Sequence, residues 1–147
     1  MTKDDVQAQI QQFQKALQEK AKQAEQDTFK FVTLSCAKVE QTAKEIMRDT
    51  EVNLEVSYGP HQHHPSIEGN PPAPDSGTLL QSVTHSVDVT EQGKKVTGYV
   101  GSVLKNPDYP KYLEFGTSKM RPRPWLITAL TKCQDYISGL KREIFGQ

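Results

Sequence analysis

Three groups of side chains in this sequence are of types that do chemistry. His61, His63 and His64, with Glu68 and Asp75 nearby, are residues that ligate zinc, copper or nickel. They lie in a stretch broken by Pro60, Pro65, Pro71, Pro72 and Pro74. A metal site needs ligands held on a rigid support, so the cluster is read as holding no metal. Lys119, Arg121 and Arg123 form a basic arm that also carries Pro122 and Pro124. A residue before proline is pushed out of the α region, which keeps Arg121 and Arg123 extended. Two guanidinium groups on a stiff arm suit a carboxylate-lined partner surface or a nucleic-acid backbone. The third group, Cys36 and Cys133, falls in helical stretches. Both are read as small buried apolar residues, since two cysteines make no metal motif and a disulfide is improbable in a cytosolic product.

Nothing else marks an enzyme. Neither Ser66 nor Ser76 sits in a Gly-x-Ser-x-Gly elbow, Cys36 has no histidine near it in sequence, and no Gly-rich phosphate loop occurs. No catalytic residue and no cofactor is expected. Eighteen basic and eighteen acidic residues cancel, so no global field steers the chain toward DNA or anionic lipid. No apolar run is long enough to span a bilayer, and the N-terminus lacks a signal-peptide pattern, so a soluble protein made in the cytoplasm is expected.

The elements that position these groups make one domain of 147 residues. Residues 2–49 read as one long helix, opened by a Thr2/Asp5 capping box. Its stripe runs through Val6, Ile10, Phe13, Leu17, Ala21, Ala24, Thr28, Phe31, Val39, Ala43 and Ile46. At 1.5 Å per residue it would span about 70 Å. It therefore projects from the body, bends near Asp27-Thr28, or pairs in a coiled coil. Residues 52–58 alternate as a strand would, and residues 59–77 are a Pro/Gly/His-rich loop. Residues 78–115 hold a short helical turn and then the sheet, with a hairpin near 91–94, a turn at Asn106-Pro107-Asp108, and a strand or short helix at Lys111–Phe115. After the arm at 116–123, residues 124–145 read as a helix with Pro124 at its first helical position and Gly146 as its stop. The expected fold is α+β: a long N-terminal helix and a C-terminal helix packed on a small antiparallel sheet of three to four strands, with long mobile loops. Tyr112, Phe115 and Trp125 are the expected anchors of the arm. Gly116 supplies a backbone angle that other residues resist.

The stretch YLEFGTSKMRPRPW, Tyr112 to Trp125, resembles the signature of the tail-component (neck and tail-completion) proteins of long-tailed bacteriophages of the HK siphovirus type. The likeness continues in GNPPAPDSGTLLQSV, in Gly98-Tyr99-Val100-Gly101 and in Tyr109-Pro110, in the same order over about residues 69–140. The resemblance implies a virion protein of the head-tail joint, made in the bacterial cytoplasm, that works by association with no cofactor. It implies a ring of copies, sixfold by the symmetry expected of that assembly, around a channel through which genomic DNA passes. The implied partners are a head-completion or connector protein and a tail-tube or tail-terminator protein, with no membrane. Glu114, Gly116, Thr117, Lys119, Arg121, Pro122 and Arg123 are then the candidate interface, with Glu114, Arg121 and Arg123 making salt links. Residues 57–78 and 116–123 would order against neighbours. The competing expectation is a nucleic-acid-binding or chaperone-like adaptor using the long helix and the basic arm.

Overall fold

The structure, a computed structural model, describes residues 1–106 and 108–146. The capping box at its start is formed: Asp5 N–H donates to Thr2 Oγ1 at 3.2 Å, and Thr2 N–H donates to the Asp5 carboxylate at 2.8 Å. From it α1 (Lys3–Arg48) runs unbroken for 46 residues. There is no glycine or proline in it to stop it. Every residue up to Gln26 is exposed, whereas Cys36, Val39, Thr42, Ala43 and Met47 are buried. The first half of the helix therefore projects, and the second half is the spine of the body.

After α1 come α2 (Thr78–Ser82), β1 (Val83–Thr90), β2 (Lys95–Ser102), α3 (Asp108–Phe115), α4 (Leu126–Lys132) and α5 (Gln134–Phe145). The fold is α+β, as expected, but its sheet has two strands rather than three or four. β1 and β2 pair antiparallel with Val83 opposite Ser102 and Thr90 opposite Lys95. The turn expected near 91–94 is present, with Glu91 and Gln92 at φ 57° and Gly93 at 88°. A Cβ on Gly93 would lie 3.1 Å from the Glu25 carboxyl carbon, so the hairpin tip marks where the body begins on α1.

Residues 52–58 are not a strand. The backbone of Val52 bridges to Ser66, and that of Tyr58 to His63. The amides of Asn53 and Tyr58 donate to Pro65 and His63, so this segment pairs locally with the proline-rich loop and not with the sheet. The expected turn at Asn106-Pro107-Asp108 includes Pro107, which lies outside the described residues. Downstream of it Asp108–Phe115 is a helix. The C-terminal helix is two: at Cys133, N–H is shared between the carbonyls of Ala129 and Leu130 at 3.1 Å each, a tightened turn where α4 ends and α5 starts. Gly146 closes α5 in the left-handed region, donating to the Arg142 carbonyl at 2.8 Å.

The core joins Val39, Ala43 and Met47 of α1 to Val83, Leu113, Trp125, Ala129 and Cys133. Its contacts are close because small residues face one another. Ala43 and Ala129 are both fully buried, and the Cys133 thiol reaches Thr42 Oγ1 at 3.2 Å. Both cysteines are free and buried, as expected, and burial pushes the Cys36 thiol pKa up. A Cβ on Gly98 would sit 2.2 Å from Cys36 Sγ and 2.9 Å from a Val32 methyl. That clash defines a glycine kept for close backbone approach. Gly98→Ala should cost about 1–3 kcal/mol in a denaturant titration, as overpacking does. Adding Cys36→Ala should recover part of that loss, and an additive double variant would show that the contact is not what Gly98 serves.

Between α1 and the sheet, Glu40 accepts from Lys44 Nζ and from His85 Nδ1, each at 2.5 Å. These contacts, Lys44 first, hold the Glu40 carboxyl below its ordinary value of 4.5. A depressed carboxyl binds its proton less readily folded than unfolded. Its contribution is complete above the unfolded value and lost as pH falls through the folded one. The melting temperature of wild type should therefore exceed that of Glu40→Gln at neutral pH. The gap should close as pH is taken below about 4.5, and a gap independent of pH would exclude this linkage.

Candidate functional site

The candidate arm is held at both ends by bonds within the chain. At its entry Gly116 has φ 74°, and its N–H donates to the Tyr112 carbonyl at 2.8 Å. A Cβ there would come within 2.8 Å of the Met120 carbonyl oxygen and 2.9 Å of Pro122. Glycine is required here for two reasons, angle and space. Thr117 and Met120 then bridge across a tight turn, with Thr117 N–H donating to the Met120 carbonyl at 2.8 Å.

At the arm's exit, Glu114 reaches across from α3. Its carboxylate accepts from the backbone N–H groups of Trp125 at 2.8 Å, Leu126 at 2.9 Å and Ile127 at 2.9 Å. Those amides have no partner inside α4, and a carboxylate at a helix start is favoured by both the hydrogen bonds and the dipole. Glu114 thus closes the arm into a loop, and its acceptor atoms are engaged inside the chain. This is not the outward salt link expected of it.

Arg123 is likewise turned inward. Its guanidinium donates to both the carbonyl and the hydroxyl of Ser66, and its own N–H donates to the Leu113 carbonyl at 2.7 Å. Ser66 is only 2% exposed. The basic arm and the histidine-bearing loop, two unrelated segments in the sequence, are one structural unit. Lys119 and Arg121 are exposed on its surface, with Arg121 pairing at 3.2 Å with the exposed Glu68. Exposed pairs of this kind contribute little to stability. Thr117 and Pro122 are exposed along the same arm.

Of the three expected anchors, only Trp125 is one. It is 2% exposed and its Nε1 donates to the Pro110 carbonyl at 3.2 Å. Tyr112 and Phe115 are 46% and 72% exposed. The correction follows from the element type. In a strand, Leu113 and Phe115 would share a face, but in the helix α3 the inward positions are Pro110 and Leu113, three apart. Tyr112 and Phe115 are left facing out.

Two concavities flank the arm. One of about 760 Å³ lies between the loop and the arm, lined by His63, Ser66, Glu68, Tyr109, Lys119 and Arg121 among others. Burial, and then the Asp75 charge, push the Tyr109 phenol pKa up. The other, about 550 Å³, is apolar and lined by Pro110, Phe115, Trp125, Ile127 and Leu130, with Lys111 at its side. The histidines are not gathered as ligands. His64 Nδ1 donates to the Val56 carbonyl at 2.8 Å, and His63 lies 3.8 Å from Asp75. Among the described residues no group of three or more His, Cys, Asp or Glu side chains is placed to hold a metal ion. Nor is any helix among them long and apolar enough to cross a membrane.

The two arginines separate cleanly in consequence. Arg123→Ala leaves Ser66 without its partner and should cost about 1–3 kcal/mol, with faster amide exchange across residues 58–68. Arg121→Ala should stay within about 0.5 kcal/mol of wild type. Equal effects of the two substitutions would refute the inward latch. Compared with known proteins, the chain matches no protein-family model, no curated protein and no solved structure.

Proposed function

We propose that this chain is a structural protein of a bacteriophage head-tail joint, acting in neck assembly or tail completion. It works by forming a ring with copies of itself, six by the symmetry the resemblance implies, and by contacting a connector or head-completion protein and a tail-tube or tail-terminator protein. The observation that carries the reading is the Tyr112–Trp125 segment. Its sequence resembles that phage family's, and three of its residues have mechanical roles in a braced arm. Glu114 caps α4, Gly116 makes the turn, and Arg123 latches the loop.

The surroundings are those of a contact surface. Phe115 and Ile127 are 72% and 56% exposed beside the apolar groove, and Lys119 and Arg121 project beside the polar cleft. Exposed aromatics with arginine are the composition enriched at protein interfaces. Pre-bracing lowers the ordering cost on association. The neutral net charge gives no electrostatic pull toward the DNA that would pass through the ring.

A stop codon early in this gene, in a phage that encodes it, should yield DNA-filled heads beside finished but unattached tails, or tails with aberrant ends, in electron micrographs. Normal intact virions would end this reading. Lys119→Ala with Arg121→Ala should leave the fold intact. At about 1–2 kcal/mol per lost interfacial charge, it should weaken each contact by about tenfold or more. Strong, salt-dependent binding of the purified protein to DNA would instead favour the nucleic-acid adaptor.

A further inference from the structure

The projecting half of α1 carries an apolar stripe that none of the described residues covers: Val6, Ile10, Phe13 and Leu17 are 42%, 51%, 65% and 51% exposed. We infer that this stripe packs against the same stretch of a second copy of the chain. The inference rests on the sequence and burial of α1 and not on the virion reading.

The stripe is the same face that the body buries. Eleven-residue steps, three helical turns with a small drift, lead from Val6 through Leu17 and Thr28 to Val39. The same step leads from Ile10 through Ala21 and Val32 to Ala43. Val39 and Ala43, at the covered end, are 6% and 0% exposed. One continuous packing face thus leaves the body and continues bare.

Charge selects the occupant. Between Val6 and Leu17 the positions flanking the stripe are Gln7 and Gln14 on one side, Gln9 and Ala16 on the other, all uncharged. Asp4, Lys15, Glu19 and Lys22 fall on the opposite side of the helix, and Lys3 and Lys20 lie on the stripe's side only beyond its two ends. A contact between identical helices sets like residues near like, so charged flanks would repel and neutral ones do not. Spacings of four, three and four place Val6, Ile10, Phe13 and Leu17 as a helix-pairing seam does. A partner of strong single-sign charge finds nothing complementary here. Neither does an anionic membrane, because a helix lying on one carries a basic polar face. In this segment Lys3, Lys15, Lys20 and Lys22 are balanced by Asp4, Asp5, Glu19 and Glu25.

The available area sets the strength. From Val6 to Leu17 the stripe is about 18 Å long, and a third of the surface of a cylinder of that length and about 10 Å wide is on the order of 200 Å². A stable interface takes about 800 Å² per partner. The contact is therefore reversible and concentration-dependent in the isolated protein.

Sedimentation velocity of the full chain from about 10 to 500 µM tests this. The expected result is association that rises with concentration, weakened about tenfold or more by Ile10→Glu with Phe13→Glu. The near-UV signal of Trp125 should be unchanged in that variant, and Ile10→Leu with Phe13→Leu should still associate. A wild-type chain that stays monomeric throughout, or association unaffected by the two glutamates, would overturn the inference. So would a monomer that instead binds phosphatidylglycerol vesicles through this face, which would assign the stripe to a lipid surface.

Discussion

The absence of a side chain at Gly98 lets the hairpin lie against Cys36, and the rest of the body is arranged around that approach. With the sheet so close, His85 reaches Glu40 on the helix, while Val83 and Val100 pack onto the cluster around Val39 and Met47. The other side of α1 follows the same rule with different residues. Ala43 and Ala129 are fully buried in one cluster, and Cys133 lies within reach of Thr42. This is a core closed by small residues at short distance, with Met47 and Trp125 as its bulky fill. It needs few large apolar side chains, which is how a chain only 35% hydrophobic forms a packed body at all.

The arm depends on that body through Trp125. Burial of its ring fixes the start of α4, and the three amides exposed there give Glu114 something definite to cap. Glu114 belongs to α3, so the cap ties two helices across the arm between them. Arg123 adds a second tie, from the arm's last turn to Ser66 in the loop. A segment with both ends held and prolines inside has little freedom left to lose. Its two exposed charges, on Lys119 and on Arg121 with its partner Glu68, are presented from a stiff base.

Much of the fold was legible because the signals were local. The Thr2/Asp5 box, the unbroken apolar steps of α1, the alternation in Val83–Val89 and the Gly93 turn each act over a few residues. What could not be read depended on distant partners. Val52–Tyr58 has strand alternation, yet its backbone finds its partners in the loop that follows. Tyr112–Phe115 is too short for period two to be told from period three, so strand and short helix both stayed open, and the anchor role expected of Tyr112 and Phe115 fails because the helix turns them out. At the candidate site Gly116 and Trp125 were legible from type alone. The inward roles of Glu114 and Arg123 were not, since an acidic cap twelve residues before its helix and a latch to Ser66 leave no mark in spacing. Gly98 was not legible either: residue type alone does not separate it from Gly101 in the same strand, where a Cβ would meet nothing within 4 Å.

The long helix reconciles a small core with a large reach. Helix formation is limited by nucleation, and in α1 the packed stretch around Val39 to Met47 supplies the nucleus. Extending from it requires only propagation, which the Gln, Ala, Lys and Glu of residues 7–26 favour. The Thr2/Asp5 box satisfies amides at the far end, where fraying would begin. The projecting half therefore needs no tertiary contact to be helical, and its apolar stripe is not required for its own folding. A soluble rod would be better served by a polar residue at each of Ile10, Phe13 and Leu17, because exposed apolar side chains at regular spacing invite association. Left bare, in phase with the buried face of the same helix, the stripe takes no part in packing the body, so a contact made through it with a second copy would leave the core as it is.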